Sequence, residues 1–171
     1  NLCDKRNALL VFDASNIAPL RLQKGLFNYN QEIKPDILIL SKGIGQGFPI
    51  SAVLTSDQVA ENDFDRSKSG IYSLAYSAAI NLIKDFQSDK LNKTINNNIE
   101  YINKKFADLS ETHISLVDYY SDGMLYTVVV DISAYDFARK AFNKGVILDT
   151  LNDNKIIISP PYNIKKEEID Y

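Results

Sequence analysis

The stretch Ser41-Lys42-Gly43-Ile44-Gly45-Gln46-Gly47-Phe48-Pro49-Ile50-Ser51-Ala52-Val53 decides how the chain is read. It follows a continuous apolar run, Ile37-Leu38-Ile39-Leu40, and a similar run, Ala8-Leu9-Leu10-Val11-Phe12, ends in Asp13. Apolar runs of this length without polar alternation predict strands buried on both faces, the pattern of a parallel sheet covered by helices. A third run, Ser51-Ala52-Val53-Leu54-Thr55, precedes a helix start near Ser56-Asp57. An acid and a lysine therefore each close a strand. In open α/β sheets, ligands bind outside the carboxyl ends of the strands, so Asp13 and Lys42 are expected to look into one crevice.

The chemistry of the pair follows from its surroundings. A desolvated lysine loses its proton more readily and becomes a nucleophile toward carbonyls. A buried carboxylate requires a cationic partner, and a protonated pyridine nitrogen is one. Gly43, Gly45 and Gly47 alternate along the loop and let its backbone approach a flat ligand or a neighbouring chain. No Gly-Lys-Ser/Thr follows at P-loop spacing, and the dinucleotide fingerprint is missing too. The residues alone leave a second reading open, with Asp13 as a helix N-cap, Lys42 as a surface lysine and the glycines as a turn.

Downstream, the pattern turns helical from about Tyr72 to Leu109. Ile80, Ile83, Ile95, Ile99, Ile102 and Phe106 fall at mostly helical spacings, with a break near Ser88-Asp89. The last third reads β-α-β-β. Met124–Ile132 is a strand, Ala134–Lys144 a helix closed by Gly145, and Val146–Thr150 and Lys155–Ser159 are strands joined by a turn at Asn152-Asp153-Asn154. Glu167–Asp170 starts a helix. Residues 86–110 read as a helical connection between an α/β part, 1–85, and a small α+β domain, 111–171.

Composition excludes several classes. Of 171 residues, 45% are hydrophobic and 24% charged, and the net charge is −3, so there is no basic stripe for a nucleic acid. No apolar run approaches a membrane span. The single cysteine, Cys3, excludes an internal disulfide framework and fits a reducing compartment, the cytoplasm or an organelle matrix. The chain opens at Asn1 without methionine and stops within a helix start, so it reads as a fragment of a longer protein. His113, Cys3, Arg21 and Lys165-Lys166-Glu167-Glu168 are assigned no site role, and no metal site is expected.

Leu9–Asp13, Lys34–Leu38 and Ser41–Val53 resemble, in order and spacing, the central block of class III aminotransferases, ornithine and acetylornithine aminotransferases above all. Lys144–Leu148 and Ile158–Ile164 with Glu167–Asp170 resemble the family's C-terminal block. The resemblance implies an α/β architecture. Part of a fold-type-I large domain, with a mostly parallel sheet and flanking helices, is followed by a small α+β domain. It implies that Lys42 holds pyridoxal 5'-phosphate (PLP) as a Schiff base, that Asp13 pairs with the pyridinium nitrogen, and that Asn16 lies near the ring hydroxyl. Ser67 or Ser69 would meet the cofactor phosphate of the partner subunit. The implied reaction moves an amino group between an ornithine- or acetylornithine-like amino acid and a 2-oxo acid, in a homodimer. The implied partners include neither nucleic acid nor membrane.

Departures from the family pattern are equally specific. Ala14–Leu20 replaces an acid followed by a glycine-rich stretch, no threonine occurs around Ser67–Ser69, and Tyr72-Ser73 replaces asparagine-proline. Ile157 stands where the resemblance places a carboxylate-gripping arginine, and isoleucine makes no bidentate ion pair. Lys155 is on the same strand face as Ile157. These departures keep two alternatives open: a catalytically degenerate relative serving as a dimerisation or partner-binding module, and a PLP aminomutase or amine transaminase.

Overall fold

The computed structural model describes residues 2–16, 34–61, 73–87 and 89–171. Its elements are α1 (Leu2–Arg6), β1 (Val11–Asp13), β2 (Ile37–Leu40), a 3-10 turn (Lys42–Gly45), β3 (Ala52–Thr55), α2 (Asp57–Ala60), α3 (Ser73–Phe86), α4 (Asp89–Thr112), β4 (Leu116–Asp122), β5 (Leu125–Val130), α5 (Ala134–Phe142), β6 (Asp149–Asn152), β7 (Lys155–Ile158) and α6 (Lys166–Asp170). They form two compact units, Asn1–Leu91 and Asn92–Tyr171. The division falls inside α4, after Leu91, so nearly all of that helix belongs to the second unit.

In the first unit, β2 is central. It pairs with β1 in parallel, Phe12 opposite Leu38, and with β3 antiparallel, Leu38 opposite Leu54. Alternation puts Phe12, Leu38, Leu40 and Ala52 on one face, and there Leu38, Leu40, Ala14, Ile44 and Ala79 make a buried cluster. Each leucine contributes about 1.5–3 kcal/mol by leaving water. The buried side of α3 is Ala75, Ala79, Leu82 and Phe86, spaced by four, three and four residues. Ile80 and Ile83, the isoleucines that marked this helix in the sequence, are only half-buried. The expected burial on both faces is not met, because Val11 and Val53 on the opposite face remain about half exposed (50% and 49%). The expected strands are also shorter. The first begins only at Val11, after a turn with Asn7 at φ 52°, and the second ends at Leu40, before Lys42 takes φ 47°.

The second unit is a four-stranded antiparallel sheet, ordered β4-β5-β7-β6, with α4 on one face. Ile95, Ile99, Ile102 and Phe106 recur on one side of α4 and are all buried, as their spacing predicts. Phe106 stacks on Tyr119 (centroids 5.1 Å apart) and tilts against Tyr126 (5.2 Å). Asn98, buried on the same helix, donates from Nδ2 to the carbonyls of Tyr162 (3.1 Å) and Ile164 (3.0 Å), which ties down the segment leading to α6. Strand β4 has no counterpart in the sequence reading. A register shift between Leu116 and Asp118 interrupts its alternation, and Asp118 and Asp122 make it look polar. The strand expected over Val146–Thr150 starts three residues later, at Asp149. Helix α5 ends at Phe142 with Asn143 as its C-cap, two residues short of the expected end, and Gly145 follows at φ 88°.

Candidate functional site

Because β1 and β2 run in parallel, their carboxyl ends share one edge of the sheet. Asp13 lies opposite Ile39, and the Ala14 N–H continues the ladder to the Ile39 carbonyl (2.9 Å). The chain then turns through Ser15 and Asn16, while the other strand leaves the sheet at Ser41 and enters the 3-10 turn. The two ends meet through side chains: Lys42 Nζ donates to Asn16 Oδ1. Residues 26 positions apart in sequence are thus joined.

Asp13 folds back over its own turn. Its Oδ1 accepts the Ser15 N–H at 2.9 Å. Hydrogen bonds from Ser15 hold the Asp13 carboxyl below its ordinary range, burial opposes them slightly, and the charge of Lys42 adds to the lowering. At neutral pH the group is therefore a carboxylate close enough to Lys42 to feel its charge. An amine, a carboxamide oxygen and an ionised carboxylate at one strand edge suit a ligand with an electrophilic carbonyl at one end and a protonated ring nitrogen at the other. In this respect the donor set fits pyridoxal phosphate.

The wall beside Lys42 depends on a glycine. After the 3-10 turn, Gln46 takes a left-handed conformation (φ 48°, ψ 40°), and Gly47 follows at φ 97°. The Phe48 N–H then bonds the Gly45 carbonyl (2.9 Å), and Ile50 packs back over Gly45. A Cβ on Gly45 would lie 2.7 Å from Ile50 Cγ2, so any larger residue there pushes Ile50 away. Ser41, Lys42, Phe48, Pro49, Ile50 and Ser51 line the resulting hollow of about 380 Å³. The sequence reading did not single out Ser41 or Phe48 as lining residues. Phe48 is the only aromatic in its block and stands half exposed between Gly47 and Pro49, which was the available signal.

The remaining candidates fall elsewhere. Ser67, Ser69 and Arg21 lie outside the described residues. Ile157 is half-buried on β7, opposite Thr127 and Asp149. Lys155 shares that face and holds its ammonium 5.6 Å from the centre of the Tyr120 ring. His113 is exposed and bonds through Nδ1 to Thr112 Oγ1 at 2.8 Å. Cys3 is a free thiol. No helix among the described residues is long and apolar enough to cross a membrane.

Comparison with known proteins places this geometry in a family. The sequence model described as Aminotransferase class-III matches residues 1–171. The acetylornithine aminotransferase of Clostridium acetobutylicum is 32% identical over 175 residues, covering 99% of this chain and 45% of that protein. Ornithine aminotransferase 1 of Staphylococcus saprophyticus is 28% identical, covering 99% of this chain and 43% of its own length. Among solved structures, N-acetylornithine aminotransferase from Stenotrophomonas maltophilia superposes with a TM-score of 0.82 at 24% identity, over 99% of this chain and 46% of that one. Plasmodium falciparum ornithine delta-aminotransferase gives 0.83 at 24%, over 99% and 46%. These superpositions speak to the fold. The chain spans just under half the length of the relatives it matches.

Proposed function

The chain belongs to the class-III aminotransferase family, and on that premise we propose that it carries the cofactor lysine of a PLP-dependent aminotransferase acting on an ornithine- or acetylornithine-like amino acid and a 2-oxo acid. The observation that supports this most directly is the meeting of Lys42 with Asn16 beside an ionised Asp13, at the shared carboxyl edge of two parallel strands. Bound pyridoxal phosphate supplies an aldehyde to which amines add and a ring that withdraws electrons.

The residues of this chain have distinct tasks in that reading. Lys42 would hold the cofactor through Nζ and, when its amine is free, would move a proton at the substrate's reacting carbon. The Asp13 carboxylate would favour the protonated form of the ring nitrogen. Asn16 gives the Lys42 ammonium an acceptor while the amine is free. Phe48 and Ile50 would give one side of the hollow an apolar wall. In a homodimer, Ser67 or Ser69 would supply a hydroxyl to the partner subunit's cofactor phosphate. The protein works in the cytoplasm or an organelle matrix.

Absorbance of the cofactor-loaded protein tests the assignment. The visible band of lysine-linked pyridoxal phosphate is expected to vanish in Lys42→Ala, and a band that persists removes Lys42 from this role. Ile157 favours a second reading, because an isoleucine at a half-buried sheet position offers no cation to a carboxylate. Under it the substrate is an amine without an α-carboxylate, or the protein is a non-catalytic relative. Turnover of a panel of amino donors separates the cases. A strict need for an α-carboxylate excludes the amine reading, and turnover of any donor excludes the non-catalytic one.

A further inference from the structure

The carboxyl edge of the first sheet carries the chemistry, but its opposite edge holds the strands together. Strands β1 and β2 share three residue pairs, Val11–Ile37, Phe12–Leu38 and Asp13–Ile39. Residues 14–36 join them, so no tight turn dictates their alignment. At the start of β2 stands Asp36, and three of its groups reach the two neighbouring strands. Its carboxylate Oδ2 accepts the Leu10 N–H at 2.8 Å. Its own N–H donates to the Leu10 carbonyl at 2.9 Å, a carbonyl that also accepts from the Ile37 N–H at 3.2 Å. Its carbonyl accepts the Ser56 N–H at 2.8 Å, just beyond β3.

We propose that Asp36 is a positioning residue that clamps the starts of β1 and β2 to the end of β3 and so keeps Asp13 aligned with Lys42 at the far ends of β1 and β2. A ladder this short carries few hydrogen bonds of about 1 kcal/mol each, so it frays from an unclamped end. The clamp satisfies both polar groups of Leu10, the residue immediately before β1. A carboxylate accepts a backbone N–H more strongly than a neutral carbonyl does. Sliding β1 by one residue turns Asp13 to the opposite face, because side chains alternate along a strand. Aspartate at 36 therefore acts on the site through β1, without touching any ligand.

The functional consequence rests on the aminotransferase reading, whereas the clamp does not, and the test separates the two. Amide hydrogen exchange on the full chain is expected to quicken about tenfold or more at both Leu10 and Ala14 in Asp36→Ala, with β5 amides unchanged. Asp36→Asn, which retains one acceptor oxygen, is expected to restrain Ala14 to within about threefold of the unsubstituted chain. Faster exchange at Leu10 alone overturns the proposal, since the clamp then acts only locally. A second arm measures pyridoxal phosphate affinity. Asp13→Asn is expected to weaken binding about tenfold in the unsubstituted background and less than about threefold in Asp36→Ala, because a displaced Asp13 has little left to lose. Equal losses in both backgrounds overturn the positioning role. If the unsubstituted protein binds no cofactor, the aminotransferase reading falls while exchange at Ala14 still decides the clamp. If Asp36→Ala does not fold, Asp36→Glu, whose carboxylate is displaced by one methylene, carries the same measurements.

Discussion

The two compact units solve their tight turns differently. In the second unit the described residues with positive φ are glycines, Gly123 at 61° and Gly145 at 88°. In the first unit Asn7, Lys42 and Gln46 adopt such angles with side chains attached, at 52°, 47° and 48°. A left-handed conformation costs a non-glycine residue about 1–2 kcal/mol, least for asparagine. The second unit therefore spends nothing on its turns and is held by a packed aromatic and aliphatic core. The first stores strain near its hollow, at the lysine that opens the 3-10 turn and at the residue that redirects the loop. Such strain persists only where surrounding contacts over-determine the backbone, here the Ala14, Leu38, Leu40, Ile44 and Ala79 cluster beneath it.

Substitutions test that contrast. The largest effect belongs to the second unit's core. Tyr126→Ala empties the space beside Phe106 and is expected to cost about 3–5 kcal/mol in chemical denaturation. Tyr126→Phe is expected to cost nothing, because the Tyr126 hydroxyl is fully buried and finds no hydrogen-bond partner among the described residues. Burial pushes that phenol's pKa well up, and Tyr119 adds to the effect, so the hydroxyl stays neutral. Asn98→Ala comes next, at about 1–3 kcal/mol, since it strands two carbonyls that the amide serves. Full stability in Asn98→Ala would show that α4 does not hold the segment before α6.

In the first unit Gln46→Gly is expected to do the opposite and stabilise the fold by up to about 1 kcal/mol, since glycine relieves the left-handed turn. A loss of stability would mean that Gln46's side chain, and not its backbone, governs the loop. The smallest effect concerns α6. Asp170 is held below its ordinary pKa first by Lys105 (2.6 Å) and then by Tyr101, and Lys105 is raised above its ordinary value by Asp170. A lowered carboxylate contributes stability above its unfolded pKa and loses it as pH falls through the folded one. A raised lysine contributes below its unfolded pKa and loses it as pH rises through the folded one. Both groups are exposed, so Asp170→Asn is expected to lower Tm by no more than about 2 °C at pH 7. The difference should close below about pH 4.

Legibility in the sequence followed periodicity. The α4 isoleucines announced their buried face, because polar residues separate them at helical spacing. The Lys42 block marked a candidate site, but its base and alternating glycines alone left the surface-lysine reading open, and the family resemblance decided between them. Strand β4 stayed hidden, since its bulge breaks the period of two. The α3 face was misjudged, because small alanines, rather than Ile80 and Ile83, allow the close approach to the 3-10 turn.

By itself the sequence determined that the first strand ends at Asp13, which face of α4 is buried and which chemical groups are available, because these depend on local pattern and residue type. Only the tertiary structure decided that Lys42 meets Asn16, that Ser15 lowers the Asp13 pKa, that β3 runs antiparallel to β2, and that Asp36 joins three strands. Apart from the local Ser15–Asp13 bond, those outcomes depend on which donors and acceptors come opposite one another across long gaps in the sequence. Hydrogen bonds of that kind are set by pairing and packing, and no local pattern encodes them.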